Sequence, residues 1–219
     1  MANKTVIIAA AFFGIAGTTS PLTAQSSAGP CPGMYPAPRV GEYAELRFRS
    51  SEQGTMPVRF AVVGEEDVFG RPHYWIEIVS VPPAVQDTVV VQMLVPHYPF
   101  EQNSLRGYIV RMPGQPAIRF PEEMLPELAG STAGPGWKEQ CQSAEDLGNE
   151  RVTVPAGNFI ARHYRAPDGG EEVWIADVPF GMVKMVTADG ALELLRHGTD
   201  ARSLITEEPV EYQPQPPGR

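Results

Sequence analysis

The chain reads as an all-β protein with one short helix, built on an antiparallel sheet of about 10–11 strands. Three observations point there. From Val40 onward apolar and polar residues alternate with a period of two, run after run. The 219 residues include 23 prolines and 21 glycines, which suits many turns and few helices. Only one segment carries helix punctuation at both ends.

The strands follow in order. In "YAELRFR" (43–49) Ala44, Leu46 and Phe48 share one face while Glu45, Arg47 and Arg49 share the other. "VRFAVV" (58–63) sets Val58, Phe60 and Val62 inward, and "HYWIEIV" (73–79) opposes Tyr74, Ile76 and Ile78 to His73, Trp75 and Glu77. "TVVVQMLV" (88–95) is apolar at nearly every position and is expected to be covered on both faces; "GYIVRM" (107–112) adds a fifth strand. The helix candidate is "PEEMLPELAG" (121–130), with a leading proline, two glutamates in its first turn and a closing glycine; Pro126 keeps it short or broken. Residues 131–149, with Gly-Pro-Gly inside, read as a long loop.

Beyond the loop, "VTVPAGNFIARHYR" (152–165) is a hairpin. Pro155 takes the second position of a type I turn and Gly157 the left-handed position of a bulge. "EEVWIAD" (171–177), a turn "VPFG" ending in Gly181, "MVKMVT" (182–187), a tight turn at Asp189-Gly190, "ALELLRHG" (191–198) and a short "ARSLIT" (201–206) continue the meander. That makes five strands before the helix and five or six after it. No repeat of fixed period occurs, so a propeller or solenoid is set aside.

The chain divides into a leader (1–28), one β domain (29–206) and a proline-rich tail (207–219) expected to be extended and mobile. Lys4 precedes an uncharged apolar run at residues 5–17, followed by small residues suited to cleavage after Ala24 or Ala28. The run is shorter than the roughly 20 residues a bilayer demands. The expectation is a periplasmic or secreted product; retention as an N-terminal membrane anchor is the alternative. In an oxidising compartment Cys31 and Cys141, the only cysteines, favour a disulfide, which would contribute about 4 to 5 kcal/mol; two buried thiols are the alternative. A net charge of −9 argues against nucleic acid and against anionic lipid heads as partners.

"VTVPAGNFIARHYR", "EVWIADVPFGMVKM" and "LELLRHGTDARS" together resemble the second half of LolA/LolB-like envelope proteins and related families, in which a Val-Pro-Ala-Gly-x-Phe hairpin precedes a Trp-containing strand and a Pro-Gly turn. The resemblance covers roughly residues 148–206 and implies a strongly curved antiparallel sheet, an unclosed half-barrel with a helix in its mouth. It further implies a lipid-like or other apolar ligand in the concavity. One short helix candidate, where the carriers have several, departs from that pattern.

Chemistry leaves little trace. The four histidines, His73, His97, His163 and His197, are scattered, with no metal-ligand spacing. There is no nucleophile elbow. "GEEDVFGR" (64–71) lacks the Lys-Ser/Thr ending of a phosphate loop and runs into a strand. The pairs Glu65-Glu66, Glu122-Glu123, Glu171-Glu172 and Glu207-Glu208 would point to opposite faces in extended chain, so they form no acid/base couple. Neither a catalytic residue nor a cofactor or metal is expected. The candidate ligand-cavity residues are Trp75, Met93, Trp174, Met182 and Met185, with ordinary core packing as the alternative. Two roles remain: an exported binding protein for an apolar ligand, or an extrinsic structural subunit docking to an envelope or membrane partner.

Overall fold

The computed structural model describes residues 35, 37–50, 54–132 and 143–213. The expected leader and the Cys31–Cys141 bond lie outside the described residues. The described chain forms one unclosed sheet, the form that the resemblance implies. Its strands are β1 (Tyr43–Ser50), β2 (Gly54–Val68), β3 (Arg71–Ser80), β4 (Val89–Val95), β5 (Gly107–Arg111), β6 (Ile118–Arg119), β7 (Glu145–Val154), β8 (Gly157–Arg165), β9 (Glu171–Ile175), β10 (Met182–Thr187), β11 (Gly190–Gly198) and β12 (Val210–Glu211). Across the sheet the order is β12-β6-β5-β4-β3-β2-β1-β11-β10-β9-β8-β7. Only β12 runs parallel to its neighbour, β6.

The sheet curls. β8 and β7 lie three and four places from β11 in the sheet, yet Ala156 N in the turn between them donates to Leu194 O at 3.1 Å and the rings of Phe159 and His197 lie 6.2 Å apart. One large core follows that curl and joins Leu46, Val62, Ile76, Met93, Tyr108, Val152, Val183 and Leu194 with Leu125 and Ala129 of the helix. The helix begins as a 3₁₀ turn at Glu122–Met124 and becomes α1 over Leu125–Thr132. Pro126 falls in the first turn of α1, where its missing N–H has no partner to lose.

A second, smaller core lies on the other face of β3, β4 and β5 and joins Trp75, Val90, Leu94, Ile109, Ala117 and Ile205. This is why β4 is apolar on both faces. Its cover is the C-terminal segment, and here the sequence reading needs correction. Residues 201–206 form no strand, although Leu204 and Ile205 suggested one. They cross the sheet as an irregular strap, because their polar groups are satisfied by side chains rather than by a neighbouring strand. The tail, expected to be mobile from residue 207, instead enters the sheet. Val210 N donates to Ala117 O and Tyr212 N to Arg119 O, both at 2.8 Å, and the Tyr212 ring stacks on Phe120 at 5.1 Å. Two-residue β6 and β12 escaped the sequence reading, which therefore undercounted the strands.

Three turn assignments also change. β7 begins at Glu145, inside the expected loop, because backbone pairing with β8 holds even where its residues are polar. The β7–β8 connection keeps Val154 opposite Gly157 in unbroken step, so Pro155 and Ala156 alone make the turn and the bulge is absent. Gly157 still has a positive φ of 134°. Gly190 is not left-handed: it opens β11 so close to β1 that a Cβ there would lie 2.1 Å from Arg49 O.

Candidate functional site

The five candidate cavity residues do not converge. Met93, 1% exposed, faces the large core with Ile76 and Tyr108 as its direct neighbours on β3 and β5. Trp75 belongs to the second core, across the sheet from it. Trp174 is buried in β9, while Met182 and Met185 on β10 are half-buried, the former packed against the large core. Core packing among the described residues accounts for Met93 and both tryptophans.

Around Trp75 the sequence makes space. A Cβ on Gly107 would stand 2.7 Å from Trp75 Cη2, so only glycine lets the indole lie across β5. Its Nε1 donates to Glu66 at 2.7 Å, and the Arg119 guanidinium carbon lies 5.6 Å from the ring centroid. Two residues along β3 sits Glu77, fully buried, a position that alternation alone would give to an outward-facing acid. Its carboxylate accepts from Gln92 Nε2 (2.9 Å), Ser203 Oγ (3.2 Å), Leu204 N (2.9 Å) and Arg59 (3.3 Å). A buried charge persists only when its oxygens are filled in this way. The strap supplies two of the four donors, so Glu77 is what pins it.

Around Trp174 the cover is charged. His163 on β8 stacks on the indole at 4.1 Å, and Lys184 on β10 places Nζ 4.7 Å from the ring centroid. Both His163 nitrogens face carboxylate oxygens at 3.1 Å, Glu150 on one side and Glu172 on the other. Arg165 donates to Glu172 at 2.9 Å and is the main reason its carboxyl titrates below the usual range. Adjacent Glu171 moves the other way, raised by burial and then by Asp168. The pair thus sits in two environments, as strand geometry requires. The Trp174 Nε1–H is buried without a partner. Among the described residues no group of His, Cys, Asp and Glu has the geometry to hold a metal.

A third feature lies where Tyr35 meets the sheet. Phe60, Tyr98 and Phe180 pack mutually with ring separations of 5.2 to 5.9 Å, and Tyr35 meets Tyr98 edge-on at 6.4 Å. Burial pushes the Tyr98 phenol up to about 12 and raises that of Tyr35 as well. The turn Val178–Gly181 presents Phe180 to this cluster. Gly181 N donates to Val178 O at 2.8 Å, and Phe180 takes a φ of +61°, the third position of a type II turn that normally falls to glycine. Gly181 follows with φ +70°, and a Cβ there would meet Tyr35 Cδ1 at 2.9 Å. The cleft bounded by Pro38, Glu42, Val62, Tyr98 and Phe180 leaves about 10 Å³, room for about one water molecule.

Glu77, the His163 clamp and the aromatic cluster were all missed from sequence. The Glu77 site and the aromatic cluster are assembled from segments far apart in the chain, while the His163 clamp depends on the register of neighbouring strands; no local spacing announces any of them. One weak signal existed: the two Phe-Gly dipeptides among the described residues, 69–70 and 180–181, form turns in which the phenylalanine is left-handed.

No protein-family model matches the chain, and no curated protein matches it. Among solved structures it is similar to a "putative exported protein with YmcC-like fold" from Bacteroides fragilis and to a "putative lipoprotein" from Parabacteroides distasonis. Each is 10% identical, with 75% of this chain and 98% of the other covered at a TM-score of 0.37. Likeness of that degree assigns neither fold nor activity. Among the described residues no helix is long and apolar enough to cross a membrane.

Proposed function

We propose that this chain is an exported, non-catalytic protein of the cell envelope that acts by docking to a protein partner, not by carrying an apolar ligand. The leader-like first residues support export. The observation that carries docking over carriage is the filled interior: Leu46, Ile76, Met93, Val183 and Leu194 are each at most 2% exposed and belong to one buried cluster that also takes in Leu125 and Ala129 of α1. Opening a cavity of the 300 Å³ or more that a ligand needs would mean taking apart this core. A rigid sheet with a strapped outer face is suited to presenting a surface. Crosslinking and sizing of the full chain from gently solubilised envelopes test the reading. A stable assembly larger than a monomer, with no uptake of fluorescent fatty acid by native mass spectrometry, is the expected result. A lone monomer carrying a lipid adduct would overturn it.

A further inference from the structure

The β2–β3 hairpin outruns the rest of the sheet. β1 pairs with β2 only as far as Ala61, and β4 pairs with β3 only from Tyr74 onward. The last three pairs, Glu66 with His73, Asp67 with Pro72 and Val68 with Arg71, have a strand partner on neither outer side. At about 3.4 Å per residue they form a finger about 10 Å long. At its tip Phe69 is 96% exposed, the most exposed of the large apolar residues described.

One exposed apolar side chain means little by itself. The backbone under this one gives it meaning. Phe69 has φ +54° and Gly70 φ +77°, the two left-handed positions of a type I′ turn. Asn, Asp or Gly fill the first position at small cost, whereas a bulky residue there is an outlier. Nothing among the described residues offsets that strain, because the ring is 96% exposed. The tip is also held rigid: Asp67 accepts from Gly70 N at 2.8 Å, and Glu66 accepts from Trp75 Nε1 at 2.7 Å, tying the finger to the second core.

From strain, exposure and rigidity at one position we infer that Phe69 is a docking anchor, a ring held out to fill an apolar pocket on a protein partner. The inference rests on the docking role proposed above and names its contact. Glu65, Glu66 and Asp67 beside the ring, against Arg71 alone, give the finger an acidic collar. The pocket is therefore rimmed by Lys or Arg. The same collar disfavours insertion between anionic lipid heads.

The test uses the full chain in its producing cells, with a photo-crosslinking phenylalanine analogue at position 69 and, as control, at Ile160, which is 60% exposed on β8. The expected result is one protein adduct from position 69 that is absent from position 160 and maps to an apolar pocket bordered by basic residues. With that partner purified, Phe69→Asn weakens binding by about 30-fold or more, the loss typical of a buried aromatic anchor, and Phe69→Tyr retains most of it. The same Phe69→Asn raises the melting temperature, because asparagine tolerates the turn. Lipid-only adducts, identical adducts from both positions, or a Phe69→Asn protein no more stable than the parent would overturn the inference. A partner that co-purifies but ignores Phe69→Asn overturns the anchor and leaves docking standing. A chain that always elutes alone overturns both.

Discussion

Two Phe-Gly turns in this protein share a pair of left-handed φ angles and differ in everything else. Phe69 and Phe180 both hold left-handed φ angles, +54° and +61°, and each is followed by a left-handed glycine. Strain of this kind costs about 1 to 2 kcal/mol for a residue with a side chain. At Phe180 the ring is 8% exposed and packed against Tyr98 and Phe60, a burial worth more than the strain. At Phe69 the ring is in water and offsets nothing. The same left-handed φ is thus explained by packing in one place and by nothing among the described residues in the other. Only the second asks for a partner.

That contrast can be broken by truncating the rings. Phe180→Ala keeps the strain, since alanine also carries a Cβ, and removes the packing; a loss of about 3 to 5 kcal/mol is expected from urea unfolding. Phe69→Ala in the same assay should fall within about 0.5 kcal/mol of the parent. Comparable losses would dissolve the distinction. The following glycines give the next largest effect. Gly181→Ala meets the Tyr35 ring as well as an unfavourable φ and should cost about 2 kcal/mol, whereas Gly70→Ala enters open space and should cost about 1 kcal/mol. Smaller again, and opposite in sign, Phe69→Asn should gain about 0.5 to 1 kcal/mol, which differential scanning calorimetry would read as a rise of a few degrees.

Alkaline titration sharpens the comparison further. The Tyr98 phenol beside Phe180 is raised to about 12 in the folded protein, from about 10 when unfolded. The fold therefore favours the neutral phenol. Its contribution is intact below pH 10 and is lost as pH rises from there toward 12. Tyrosinate absorbance should show a late step coincident with loss of the aromatic cluster. An ordinary titration near pH 10 with the fold intact would contradict the burial.

How much of this was legible differs by the range of the interaction. Strands such as Tyr43–Ser50 and Arg71–Ser80 announce themselves because sheet geometry puts every second residue in the core. The strap did not: "ARSLIT" alternates like a strand, and only Glu77, 126 residues before Ser203, shows that it is held by side chains instead. The first half of β7, "EDLGNE", has no apolar alternation to read, because its pairing with β8 is carried by the backbone. The candidate cavity failed to assemble for a related reason. Alternation sets Trp75 opposite Ile76, on the face of His73 and Glu77, but that this face is buried too depends on the strap that covers it. Phe69 lies inside "GEEDVFGR", a stretch with no phosphate-loop ending; its meaning lies in a φ angle and an exposure that composition does not carry.

The strap also dictates when the protein can be finished. Trp75, Val90, Leu94 and Ile109 lie on strands in the first half of the chain, but Ile205, which packs with them, and Ser203 and Leu204, which donate to Glu77, come from far later in the sequence. Until the strap has been synthesised and has reached the same compartment, Glu77 lacks two of its donors and an apolar patch stays open. The long loop that the strap must close makes this a slow step. Completion of the outer core is thus timed by how far along the sequence the strap is written.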